Sequence, residues 1–211
     1  MKISETIEKI MSSDEFVLDE VNKMRVLYNL KKEIRYDHKR VHESHTESVA
    51  EHIYALHCLI DYFLPLENPE GNWNAHRIHL MAQYHDIDEI ETGDKISFKK
   101  TQEDRDNEKL ALETVIKKLP EHIQSNVSKL LSEYGEQESY EARFVKALDK
   151  LEPVFHMYDD NGSAWLKSVK ATRQMHMDTK EKYLEGFPIL QRVSQVMGDH
   201  YEKEGFYYTE S

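Results

Sequence analysis

A histidine and an aspartate stand side by side at positions 85 and 86, inside Gln83-Tyr84-His85-Asp86-Ile87-Asp88-Glu89, on what reads as a buried helix. Burying such a doublet on an apolar face is costly unless its groups are paired or bound to a cation. Any fold of this chain must therefore bring partners to it. His52 upstream and Asp149 downstream sit in matching settings on separate apolar stripes, so three helices have to pack alongside one another. Two imidazoles and two carboxylates would bring a divalent ion close to neutral and leave octahedral positions open for water and substrate. This donor set suits Mn, Fe, Co or Ni better than a closed tetrahedral zinc. It reads as a hydrolase site more readily than as a structural one. The bland reading is a satisfied core histidine among the twelve in the chain, and the doublet alone would favour it; the wider set of four does not.

The rest of the pattern is helical. Only 7 Gly and 5 Pro occur in 211 residues, and Glu, Lys, Leu and Met are plentiful, which favours helix nearly throughout. No alternating run of β-branched residues suggests a sheet. Ile3, Ile7, Ile10 and Met11 predict a short amphipathic helix, and a second begins near Asp14 with Phe16, Val17, Val21, Met24, Leu27, Tyr28 and Leu30 on its stripe. Arg35 to Thr46 is polar and irregular. Ser48-Val49-Ala50-Glu51 has the form of a capping box, with the helix expected to run inward to Pro65. A helix over about 74–91 carries the doublet and ends at Thr92-Gly93. Residues 95–106 read as a surface crossover. Further helices carry Leu110 to Leu119, Ile123 to Leu131, and Ser139 to Phe155 with Asp149 at the stripe's edge. Asp159 to Gly162 reads as a turn, and Trp165 to Tyr208 as two helices broken near Gly186-Phe187-Pro188. With no repeat or linker, the expectation is one all-α helical bundle over 1–211.

A formal charge of −12 argues against nucleic acid polymers or an anionic membrane as the main partner. It leaves room for a small phosphorylated substrate, because a local metal and a few cations outweigh a distant negative surface. The single cysteine, Cys58, excludes an internal disulfide framework, and its apolar neighbourhood predicts an inert core thiol. No stretch approaches the ~20 apolar residues of a membrane span, and Met1-Lys2-Ile3-Ser4-Glu5 lacks the apolar core of a leader. Cytoplasm is expected.

Glu89 follows His85 by four residues and Asp86 by three, so on a helix it shares their face. There it is placed to orient the attacking water or to move its proton. Asp94 follows the Gly93 turn and can return to the site. Three segments then resemble the HD-domain phosphohydrolase superfamily, and within it the 5′-deoxynucleotidase (nucleoside monophosphate phosphohydrolase) branch. They are Glu47-Ser48-Val49-Ala50-Glu51-His52, the stretch His85-Asp86-Ile87-Asp88-Glu89-Ile90-Glu91-Thr92-Gly93-Asp94, and Glu141 to Glu152 around Asp149. The second is the most specific, since Glu89 and Gly93-Asp94 stand at that branch's fixed offsets.

The resemblance implies an HD-type bundle with its motif core over about 35–160 and C-terminal helices over 163–208 packed on it. It implies metal ligation by His52, His85, Asp86 and Asp149, a catalytic role for Glu89, and Asp94 near the nucleotide sugar or the attacking water. Upstream, Arg35-Tyr36 and Arg40 reproduce the branch's Arg-aromatic pair and second Arg. They stand about two residues further from His52 than expected, with Tyr36 where the branch commonly has Trp. Lys100 fits the branch's later Lys better than Lys99. Arg35, Tyr36, Arg40 and Lys100 are thus the expected substrate-binding residues. From the residues alone, the two arginines serve a phosphate or lie solvated, and Tyr36 stacks on a base or fills a rim.

His38, His42 and His45 fit no closed zinc pattern. His76 and His79 are three apart, and a partly exposed face is their simpler reading. Trp165, Met175 and Met177 read as core or interface. The resulting expectation is a phosphomonoesterase of (deoxy)nucleoside 5′-monophosphates that uses one divalent ion, with Mn, Co, Fe, Ni, Mg and Zn all open. The alternatives are an HD hydrolase of another phosphorylated metabolite or of a cyclic or polyphosphorylated nucleotide, and a non-catalytic nucleotide- or metal-binding helical protein. Several apolar stripes in a chain of this size, and the pairing of related proteins, point to a homodimer.

Overall fold

The computed structural model describes residues 2–35, 47–95, 100–158 and 160–209. It is all-α, as the periodicity predicts, and among the described residues extended pairing is limited to one antiparallel bridge, Ile34 with Ser48. Ile3–Ser12 (α1) and Asp14–Met24 (α2) come first, followed by a 3-10 turn at Leu27–Lys31. Val49–Glu67 (α3) opens with the expected capping box, in which the Ser48 hydroxyl accepts from the Glu51 amide and the Glu51 carboxylate accepts from the Ser48 amide. Two orphan amides are satisfied this way, and His52 falls in the first turn. Pro65 does not stop α3; it sits within the last turn, and the helix closes at Asn68.

The helix expected over 74–91 is broken at the doublet. Ala75–Tyr84 (α4) ends at His85, residues 85–88 form a turn, and Glu89–Thr92 (α5) follows. Across the break the amides of Ile87, Glu89 and Ile90 bond to carbonyls three residues back, at 3.2, 3.2 and 3.3 Å. This tighter winding changes the angle between successive side chains. Gly93 then takes φ 69, a left-handed conformation that glycine adopts without strain, and ends α5.

Gln102–Lys118 (α6), Glu121–Glu136 (α7) and Tyr140–His156 (α8) follow. Beyond them lie Asp160–Ser168 (α9), Arg173–Asp178 (α10), Glu181–Leu184 (α11) and Pro188–Lys203 (α12). The C-terminal region is therefore four helical pieces where two are expected, although the break at Phe187-Pro188 is where the sequence puts it.

Helix α8 is the spine, packed against α3, α4, α7, α11 and α12. Its Phe144, Leu148 and Leu151 join Leu56, Ile60 and Phe63 of α3 and Ile78 and Met81 of α4 in the main core, all almost completely buried. Side chains buried to this extent contribute roughly 1.5–3 kcal/mol each. A second cluster of Val49, Ile87, Val115, Leu119, Val127 and Leu131 locks the α5 turn against α6 and α7. Gly162 brings α9 hard against the end of α8, where a Cβ would stand 2.3 Å from the Met157 carbonyl oxygen. Cys58 is exposed, contrary to the expected core thiol: it lies on the outer face of α3, one residue before the half-buried Leu59.

Candidate metal centre

The three packed helices bring His52, His85, Asp86 and Asp149 together, with one potential ligand atom from each within 4.8 Å of all the others. His85 Nε2 lies 2.9 Å from Asp86 Oδ2 and 3.6 Å from Asp149 Oδ1. His52 Nε2 lies 3.4 Å from Asp149 Oδ1 and 3.9 Å from Asp86 Oδ2. Despite this proximity, neither buried Nε2 makes a hydrogen bond of acceptable geometry. Two buried imidazole nitrogens without partners are expensive unless their lone pairs converge on a common cation.

The outer atoms of the cage fix that orientation. His85 Nδ1 is 2.9 Å from the Ala82 carbonyl; a carbonyl only accepts, so Nδ1 carries a proton and Nε2 is the ring atom turned toward the carboxylates. His52 Nδ1 is 2.9 Å from Glu152 Oε2, a carboxylate–histidine contact of the kind that orients metal ligands. Asp149 Oδ2 accepts from Lys150 at 3.0 Å and Lys146 at 3.2 Å, with the Tyr134 hydroxyl at 3.5 Å. Asp149 Oδ1 is left facing the imidazoles.

The charges inside the cage show what it wants to hold. Burial opposes charge on His85, yet Asp86 and then Asp149 outweigh it and lift the imidazole to about 10. His52 is also raised: Asp149 and Glu152 overcome burial and the Arg35 charge. Asp86 is held below the ordinary carboxylate range by His85, and Asp149 well below it by Lys150 and Lys146, against burial in each case. A cavity that draws protons onto its histidines offers the same potential to a divalent ion. The donor types and the unpartnered nitrogens fit such an ion.

Glu89 is buried, and its Oε2 has no hydrogen-bond partner. Burial first, then the charges of Asp86, Asp94 and Asp88, push its carboxyl well above the ordinary range. Asp88 is pushed up to about 7, by burial and then by Asp86 and Glu108.

A cavity of about 120 Å³ adjoins the cage, with Asp94, Arg35 and Asp149 on its wall. Arg35 Nη1 is tied back to Glu47 at 2.5 Å and Glu152 at 3.1 Å, and lies 2.5 Å from His52 Nδ1. Lys100 pairs with Glu108 at 2.7 Å, and its charge reaches Glu89 and Asp86. Tyr36 and Arg40, with His38, His42, His45 and Lys99, lie outside the described residues. His76 is exposed, while His79 meets His57 of α3 at 2.8 Å, so the two do not face each other as a pair.

Sequence reasoning assigned no role to Glu152, Lys146, Lys150 or Tyr134. Glu152 was within reach of it, since it stands three residues after Asp149 and so shares its face. Tyr134 carries no local signal.

The HD domain family profile matches residues 27–191. The 5′-deoxynucleotidase of Erwinia tasmaniensis is 34% identical over 114 residues, 50% of this chain and 57% of that protein. The 5′-deoxynucleotidase YfbR of Escherichia coli O1:K1 is 32% identical over the same length. The chain thus spans 57% of the length of these curated relatives. The crystal structure of a predicted metal-dependent phosphohydrolase from Magnetospirillum magnetotacticum MS-1 shares the fold, with a TM-score of 0.76 over 92% of this chain and 98% of that one, at 23% identity.

Proposed function

The chain belongs to the HD domain family, and on that premise we propose that it is a metal-dependent phosphomonoesterase of small nucleotides, most specifically of (deoxy)nucleoside 5′-monophosphates. One observation carries the reading: two buried imidazole nitrogens without hydrogen-bond partners, facing the carboxylates of Asp86 and Asp149, the latter with its outer oxygen already held by Lys150. His52, His85, Asp86 and Asp149 would hold one divalent ion. When bound, that ion supplies a Lewis acid for a phosphoryl oxygen and a water of lowered pKa.

The chain's own groups do the rest. Glu89 is the proton carrier beside the cage, and a carboxyl raised above its ordinary range is suited to hand on a proton as well as to take one. The water oxygen bonds to phosphorus, the ester P–O bond breaks, and the proton passes by way of Glu89 to the departing alkoxide. Asp94 and Arg35 stand at the adjoining cavity, where they would contact the sugar and the phosphate. Tyr36, Arg40 and Lys100 complete the proposed substrate contacts. The resemblance to 5′-deoxynucleotidases supports the substrate class.

Among the described residues no helix is long and apolar enough to cross a membrane, and we place the enzyme in the cytoplasm. Ile3, Ile7, Met11, Leu18 and Val21 are exposed on α1 and α2, a face that a second copy would cover in a homodimer; light scattering reads this directly.

The test is to strip the purified protein with chelator, refill it with Mn or Co, and measure phosphate release from a panel of nucleoside mono-, di- and cyclic phosphates. Release from 5′-monophosphates that depends on refilling is expected. Preference for a cyclic or polyphosphorylated nucleotide would move the substrate within the family, and tight nucleotide retention without product would overturn the enzyme reading.

A further inference from the structure

The cavity beside the cage has two unlike ends. At one stand Asp149, Asp94 and Arg35. From there it follows a single face of α8 through Lys150, Pro153 and Met157, and it is closed by Trp165 and Leu166 of α9 and by Met175 of α10. Eight residues separate Asp149 from Met157, about 12 Å along the helix axis, well beyond the reach of a phosphate group sitting at the cage. The far wall is mainly apolar, and its polar side chains other than Lys180 are already engaged, His176 with the Tyr207 hydroxyl and Thr179 with the His176 carbonyl, so a polyol would find few partners there.

One cation stands apart in that wall. Lys180, just after α10, is 4% exposed. Its Nζ donates to the His176 carbonyl at 3.1 Å, and among the described residues no carboxylate pairs with it. Of the other two cavity lysines, Lys150 is already bound to Asp149 and Lys95 to Asp104. An ammonium group can make three hydrogen bonds, so Lys180 has donors left over at the cavity wall. Burial, reinforced by the Lys150 charge, lowers it to about 7, a cost that an acceptor from a ligand would relieve.

We propose that this cavity receives the nucleoside part of the phosphomonoester, with the base between the Met157, Trp165 and Met175 side chains, and that Lys180 selects it by donating to an acceptor on the base edge. A nucleobase combines flat apolar faces with a polar edge, which is what an apolar chamber holding one spare donor can take. This rests on the phosphomonoesterase reading for the phosphate end but needs no metal for the base end.

The two are therefore tested apart. In metal-free protein carrying Trp73→Phe, emission comes from Trp165, the second of the two tryptophans. Titration with thymidine is expected to change it saturably, and deoxyribose alone is not. Lys180→Met keeps the length and removes the donor; it should weaken thymidine binding about tenfold. Its melting temperature should hold or rise, since a desolvated ammonium is lost. A purely structural lysine would not separate binding from stability in this way. Phosphate release from nucleotides by metal-loaded enzyme without any thymidine response, or an unchanged response in Lys180→Met, would overturn the cavity assignment. A thymidine response weakened by Lys180→Met, in a protein that releases no phosphate once loaded, would support it and overturn the hydrolase reading.

Discussion

The cage and the cavity share Asp149 and one face of α8, yet they are built on opposite rules. In the cage the outer atoms of three of the four residues are tied: His85 Nδ1 to Ala82, His52 Nδ1 to Glu152, Asp149 Oδ2 to two lysines. Only the inner atoms are left open. At the far end of the cavity the wall is mainly apolar, and one buried lysine has donors to spare. A site for an ion is thus made by satisfying everything except what points at the ion. A site for an organic body is made by lining its far end mainly with apolar side chains and leaving one donor open. Reaction and selection can then be altered separately.

The sharpest way to break this division is Asp86→Ala. Asp86 supplies one of two carboxylates and is the more exposed of them, at 23% of its side chain against 8% for Asp149, so its loss should spare the fold. Phosphate release is expected to fall roughly 10³-fold, with bound metal lost on elemental analysis. Thymidine binding in the cavity should be unaffected. A loss of both would mean that cage and cavity are one unit.

Glu89→Gln separates holding an ion from moving a proton. Glu89 is not among the four grouped ligands, so metal stoichiometry should survive while turnover falls about 10²-fold. A glutamine cannot exchange the proton but fills the same space, which keeps the comparison with Asp86→Ala clean. Loss of metal in Glu89→Gln would make Glu89 a ligand instead.

How much of this was legible differs between the two regions for a physical reason. The four cage residues break an apolar pattern, and a polar group on a buried stripe is visible in one dimension. The offsets of Glu89 and Gly93-Asp94 added specificity. What could not be read was the winding at residues 85–88, because a continuous helical stripe and a stripe interrupted by one tight turn place apolar residues almost alike. The C-terminal wall was illegible for the opposite reason. Trp165, Met157 and Met175 are ordinary core types, and nothing local distinguishes a lysine that folds inward at position 180 from one that is solvated. The resemblance that located the chemistry covers about residues 35–160, so it stops short of α9 and α10.

Glu152→Gln probes a support instead of a ligand. The amide can still accept from His52 Nδ1 but no longer carries the charge that favours the ring's orientation and offsets Arg35. Metal affinity should drop about tenfold, measured by calorimetric titration with Mn, and activity at saturating metal should recover most of the wild-type rate. Failure to recover would show that Glu152 acts in turnover itself.

The smallest effect should come from Ser48→Ala, at the start of α3. The hydroxyl accepts from the Glu51 amide at 3.3 Å and donates to the Glu51 carboxylate at 2.7 Å, and His52 follows one turn later. Losing a cap of this type costs about 1 kcal/mol, a melting shift of roughly 2–4 °C for a chain this long. Metal affinity should stay within about twofold, because the register of α3 is also held by Leu56, Ile60 and Phe63 in the main core and by the Glu152 contact to His52 itself. A larger fall in affinity than in stability would mean that the cap, and not the core, sets the direction of the first ligand. The cage would then depend on the Arg35–Glu47 and Ile34–Ser48 contacts beside the start of α3, and the two regions would be coupled through Arg35, which also lines the cavity.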